Sequence, residues 1–178
     1  YGKLRGFMME NSQSLLELIM AAKKDAKTLE VSILKILELM EKQNSSDTQI
    51  QKLQTMTKKL ESVAVDTLSI FEVRMQNHFR RGPFPRKLKS LLLESQKTNL
   101  ADRVHQYYLA INVLKHGKGK SYRELLNSPN CLFTLKSSEG NSTDNTYPDT
   151  SLVDVTAPDF FDGLVTTILE AYHFLENR

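Results

Sequence analysis

Residues 15–40 read LLELIMAAKKDAKTLEVSILKILELM, and their apolar positions decide the fold class. Leu15, Ile19, Ala22, Ala26, Leu29, Ile33, Ile36 and Met40 recur at alternating steps of four and three. This is a heptad seam: a spacing close to 3.5 keeps one stripe of a long helix turned toward a near-parallel or antiparallel neighbour. No Gly or Pro occurs between Phe7 and Arg81, so nothing in that span breaks a helix. Gln43-Asn44-Ser45-Ser46-Asp47 interrupts the seam, and Ser46 followed by Gln49 predicts a capping box that restarts the chain as a second helix. There Ile50, Leu53, Thr57, Leu60, Ala64, Thr67 and Phe71 continue a seam of the same kind. The pair predicts a long antiparallel hairpin, each arm on the order of 45 Å. Its Ala and Thr positions imply close or imperfect packing, with room for a partner chain over part of it.

Outward from the hairpin, Arg81-Gly82-Pro83-Phe84-Pro85 predicts a stiff, extended connection. A short third helix follows, with Leu88, Leu91, Leu92 and Leu93 as its buried set. Asn99 is the expected cap of a fourth helix running to Lys115, with the stripe Leu100, Val104, Tyr107, Ile111 and Leu114, and Gly117 as its C-cap. A helical turn is expected around residues 122–126. Residues 131–136 and 151–155 read as two strands, joined by the Ser-, Asn- and Asp-rich loop 137–150, which is expected to be mobile. Thr156-Ala157-Pro158-Asp159 then predicts a helix start with Thr156 as cap. The last helix buries Phe161, Leu164, Val165, Ile168, Tyr172 and Leu175. The expectation is a single all-α bundle over residues 1–178, with a small two-stranded β insertion at 131–155 before the last helix.

A length of 178 residues with 40% apolar content suits one domain. No run of about 18 apolar residues is present, so no membrane span is expected. The chain begins Tyr1-Gly2-Lys3 without an initiator Met and is expected to be a trimmed segment, so a missing leader proves little. The lone Cys131 rules out an internal disulfide framework and fits a reducing compartment. Asn141-Ser142-Thr143 matches a glycosylation acceptor, a three-residue coincidence in a polar loop.

The net charge of +3 conceals a dipolar chain. Residues 1–73 balance. Residues 74–123 carry twelve Lys or Arg against Glu94 and Asp102, a surplus of +10, and residues 124–178 carry −7. Such a chain either binds a polyanion with its middle or pairs its own basic and acidic parts.

Within the basic middle, Ile111-Asn112-Val113-Leu114-Lys115-His116-Gly117 is the one stretch that resembles a prepared polar site. His105, Asn112 and His116 share a helix face, about a quarter turn from the apolar stripe. The two histidines stand about three turns apart, too far to chelate one ion, and neither a Cys pair nor an EF-hand loop is present. Neither a metal nor a cofactor is expected. Gly117-Lys118-Gly119-Lys120-Ser121 is a poor phosphate loop, because it follows a helix and lacks the first glycine of that pattern. His78 reads as a helix C-terminal base and His173 as a structural residue. A histidine among bases can move a proton in RNA cleavage while Arg or Lys offsets the phosphate charge. Asn112 and His116 are the candidate catalytic pair, and the bland alternative is that they terminate the helix by hydrogen bonds. The candidate nucleic-acid contacts are Arg80, Arg81, Arg86, Lys87, Lys115, Lys118, Lys120 and Arg123.

Asn112-Val113-Leu114-Lys115-His116-Gly117, closing a helix in an all-helical bundle, resembles the HEPN superfamily. That resemblance implies a helical, commonly dimeric domain, in many members a metal-independent ribonuclease, with Asn112 at the motif's polar position and His116 as its histidine. The motif's Arg falls on Ile111, which belongs to the apolar stripe and cannot stabilise a phosphate. The resemblance therefore implies a prokaryotic, cytoplasmic homodimer, more readily a non-catalytic module that binds RNA or a partner protein than a nuclease. The alternatives are a metal-independent endoribonuclease using His116, and a helical adaptor with no nucleic-acid role.

Overall fold

The computed structural model describes residues 13–43, 45–136 and 151–178. Six α-helices lie among them: α1 (Leu15–Lys42), α2 (Asp47–Met75), α3 (Phe84–Glu94), α4 (Thr98–His116), α5 (Lys120–Leu126) and α6 (Pro158–Glu176), with a 3-10 turn over Gln76–His78 after α2. The architecture is an all-α helical bundle. Loop 137–150 and the acceptor-like triplet within it lie outside the described residues.

The hairpin forms as its seams predict. Leu15, Ile19, Ala26, Ile33 and Ile36 are buried on α1, and Leu60, Ala64, Thr67 and Phe71 on α2. The short connection between two long, mutually packed helices makes them antiparallel neighbours. At 28 and 29 residues the arms are about 42 and 44 Å long. Ser14 caps α1 through the Glu17 amide, and Ser46 with Gln49 closes a full capping box on α2. Ile50, Leu53 and Thr57, nearest the turn, are only half-buried, and they line a cavity together with Ser151, Val153 and Val155.

Helix α4 is the centre of the bundle, packing on α2, α3, α5 and α6. Ten of its nineteen residues are buried, and they run almost round the helix instead of forming the narrow stripe its periodicity suggests. That is the signature of a helix with neighbours on most sides. Tyr107 makes edge-on contacts with Phe133 and Phe160, and its hydroxyl donates to the Phe160 carbonyl at 2.9 Å. Gly163 on α6 permits that approach, since a Cβ there would stand 2.3 Å from the Tyr107 hydroxyl oxygen.

Several local expectations are corrected. The buried set of α3 is Phe84, Leu88 and Leu92, at steps of four, while Leu93 is exposed. Helix α4 starts two residues earlier than expected, with Lys97 at its cap, and Asn99 instead accepts from Arg103 Nε at 2.8 Å. Thr156 does not cap α6. Its amide and hydroxyl are both taken by Asp154 Oδ1, and Ala157 occupies the cap position.

The two-stranded insertion is also absent among the described residues. A single antiparallel bridge joins Leu135 and Val153, flanked by Lys136 N–H to the Leu152 carbonyl (2.7 Å) and Asp154 N–H to the Thr134 carbonyl (3.0 Å). The reason lies in side chains that take the backbone groups a ladder needs. Buried Gln106 accepts from the Leu132 amide at 2.8 Å and donates to the Asn130 carbonyl and to Asp102, while the Tyr122 hydroxyl donates to the Lys136 carbonyl. The segment is held as an irregular cover over α4 and α5.

Candidate functional site

The basic middle folds into α3, α4 and α5, and their convergence on α2 forms a groove of about 630 Å³. Helix α4 contributes His105, Tyr108, Asn112 and Lys115, at steps of three and four along one face, with Leu109 and Ile111 beside them. Arg86 and Lys89 come from α3, one turn apart, and Lys120, Ser121 and Glu124 from α5. Helix α2 adds Leu68, Ser69 and Glu72.

Exposure orders these groups from rim to floor. Arg86, Lys115 and Lys120 are exposed, Lys89, Glu72, Asn112 and Ser121 half-buried, and Leu68, Tyr108, Leu109 and Ile111 buried. None of the four cations lies within ion-pair distance of a carboxylate among the described residues. His105 does: its Nε2 stands 2.8 Å from Glu124 Oε1, which ties α4 to α5. Ser69 donates to the Val65 carbonyl within its own helix. Tyr108 is different. Its hydroxyl is the one buried side-chain polar atom among the described residues that has no hydrogen-bond partner. Burial pushes its phenol well above the ordinary tyrosine range, and the nearby Glu72 carboxylate pushes it further.

The candidate residues named from sequence divide into groups. Asn112, Arg86, Lys115 and Lys120 line the groove. Arg80, Arg81 and Lys87 form a second cluster with His78 and Phe79 on the connection between α2 and α3. Lys87 parts from Arg86 because successive residues on a helix point about 100° apart, and its chain lies back over Gly82. Lys118 and Arg123 are exposed and belong to neither group. His116 is exposed in the last turn of α4 and does not line the groove, so the Asn112–His116 pair is not brought together in one cavity. Ile111 is 2% exposed, in the core as its stripe predicts. Gly117 closes α4 with a positive φ of 72°, its amide bonded to the Val113 carbonyl.

Self-pairing of the basic and acidic parts also occurs. Arg103 pairs with Glu170 on α6 and bonds to Asn99 and Thr167, and His78 Nε2 lies 3.3 Å from Glu176. These contacts dock α6 and leave the groove cations outside them.

Sequence reasoning missed Lys89, Glu72, Tyr108 and Ser121. Lys89 had a signal, standing three residues after Arg86 on the same face. So did Tyr108, which falls between His105 and Asn112 at steps of three and four. Glu72 and Ser121 had none, because only the tertiary meeting of α2 and α5 brings them in. Among the described residues no group of three His, Cys, Asp or Glu side chains is placed to hold a metal ion, and no helix is long and apolar enough to cross a membrane. Compared with protein-family models, curated proteins and solved structures, the chain has no significant match in any of the three.

Proposed function

We propose that this protein is a non-catalytic, HEPN-like helical module that binds single-stranded RNA through the groove between α3, α4 and α5 and the neighbouring cluster on the α2–α3 connection. The observation that carries the reading is the convergence of Arg86, Lys89, Lys115 and Lys120, from three helices and without carboxylate partners among the described residues, on one groove. Cations held unpaired around a cavity favour an anionic ligand, and several at once favour a polyanion. Arg80, Arg81 and Lys87 extend the positive surface.

The non-catalytic part rests on Ile111 and His116. A buried Ile occupies the place of the motif's Arg, and His116 stands outside the groove. The homodimer belongs to the same proposal. Leu16, Met20, Val31 and Leu34 are exposed along α1 and offer it an apolar face. A cytoplasmic setting accords with the free, half-buried Cys131.

The test is a salt series with a labelled single-stranded RNA. The logarithm of affinity is expected to fall with the logarithm of salt at about 0.7 per neutralised phosphate, giving a total slope steeper than about −2. Replacing Arg80, Arg81 and Lys87 by Gln should flatten it by about 2. Absent or salt-insensitive binding overturns the reading. RNA incubated with the protein in EDTA is expected to stay intact, and cleavage that disappears in His116→Ala would overturn the non-catalytic part.

A further inference from the structure

The groove holds more than charge. Four of its non-basic polar side chains make no hydrogen bond among the described residues: Glu72, Asn112 and Ser121, which are half-buried, and Tyr108, whose hydroxyl is fully buried. Buried Gln106, on the same helix, is by contrast fully used by three bonds. A buried hydroxyl without a partner costs stability and persists in native proteins for a reason, commonly a missing ligand or water. Resting on the RNA-binding reading above, we infer that the groove takes one unstacked nucleotide of the strand, its phosphate among Arg86, Lys89, Lys115 and Lys120, and that it prefers a base with an exocyclic amine.

The chemistry follows from what each group can accept or give. A carboxylate only accepts hydrogen bonds, so Glu72 calls for a donor on the ligand, which an exocyclic amine supplies. An Asn amide offers one donor edge and one acceptor edge, the pattern that adenine's amine and ring nitrogen complete. Leu68, Leu109 and Ile111 supply an apolar surface for the face of a planar base. Uracil fits poorly, because its N–H is flanked by two carbonyl oxygens that would face the carboxylate. The groove's size, about 630 Å³, falls within the ~300–1,000 Å³ of small-ligand sites. Sequence preference in RNA recognition arises mainly where single-stranded bases expose their edges, which a groove of this kind can receive.

Binding of an adenine oligoribonucleotide, a uracil oligoribonucleotide of equal length and adenosine 5′-monophosphate is the test, read by fluorescence anisotropy or calorimetry. The wild type should bind the adenine oligomer on the order of tenfold tighter than the uracil oligomer. Glu72→Gln removes a negative charge and tightens both, so the readout is their ratio, which should collapse toward one. Asn112→Leu should collapse it too, whereas Arg86→Gln with Lys89→Gln should weaken both oligomers alike and leave the ratio standing. Oligomers that bind with no base preference, or a preference untouched by Glu72→Gln and Asn112→Leu, overturn the nucleotide pocket and leave the RNA reading intact. If the monophosphate binds, sensitive to both substitutions, while neither oligomer does, the pocket stands and the RNA reading falls. If nothing binds, both fall.

Discussion

Tyr107 and Tyr108 are neighbours on α4, yet they belong to opposite regimes. Tyr107 faces the core, where its ring meets Phe133 and Phe160 and its hydroxyl bonds to the Phe160 carbonyl. Tyr108 lies on the groove side, also buried, with a hydroxyl that bonds to nothing among the described residues. One phenol is part of a completed structure. The other is a polar group desolvated and uncompensated, in a cavity lined by four cations. A single helix thus separates the groups that hold the bundle together from the groups free to take a ligand, and the hydrogen-bond account of each face says which is which.

The strongest way to break the core side is Phe160→Ala. Phe160 is 3% exposed and touches both Tyr107 and Phe133. Truncating it leaves a cavity under α6, and a loss of about 3–5 kcal/mol is expected in urea unfolding. A loss under about 1 kcal/mol would mean that α6 closes onto α4 without this contact.

Gly163→Ala comes next. In an exposed helix the change would add up to about 1 kcal/mol of stability. Here the new Cβ meets the Tyr107 hydroxyl oxygen at 2.3 Å, and that ring is held at its far end by a hydrogen bond, so it cannot swing away cheaply. The net expectation is a destabilisation of about 1–3 kcal/mol. Tyr107→Phe removes the clashing atom, and the next ring carbon is at 3.4 Å, an ordinary contact. The double variant should therefore be more stable than the sum of the single losses predicts, and strict additivity would show that the two groups do not meet.

Much of this was legible in the chain and some was not, for reasons that attach to particular residues. The seams on α1 and α2 could be read because a period near 3.5 survives every substitution that keeps Leu15, Ile19, Ile33, Leu60 and Phe71 apolar. The same periodicity places Ile111 in the core, where it is buried. The strand pair over 131–136 and 151–155 misled, because alternation of apolar residues says nothing about whether Gln106 and Tyr122 will take the backbone groups first. Half of the groove could be read from Asn112, Lys115 and Arg86. The other half, Glu72 with Ser121 and Glu124, depends on α2 and α5 arriving beside α4, and no local spacing encodes that meeting. The spacing from Asn112 points to His116 as well, but among the last residues of α4 it is Lys115, on the face shared with His105, Tyr108 and Asn112, that lines the groove, and His116 does not.

The smallest expected effect divides the two faces most cleanly. Tyr107→Phe deletes a bond to a carbonyl near the start of α6 and should cost about 1 kcal/mol, the net value of one buried hydrogen bond. Tyr108→Phe deletes a hydroxyl that has no partner, so the desolvation it suffers on folding is relieved and nothing is given up in exchange. Its unfolding free energy should stay within about 0.5 kcal/mol of the wild type or rise slightly. Measured side by side by urea titration, the two variants test the division of α4 without any ligand present. If Tyr108→Phe is as costly as Tyr107→Phe, the Tyr108 hydroxyl is bonded in solution and the groove loses its uncompensated group. If it is neutral while weakening RNA binding, the same atom that contributes nothing to the fold contributes to recognition.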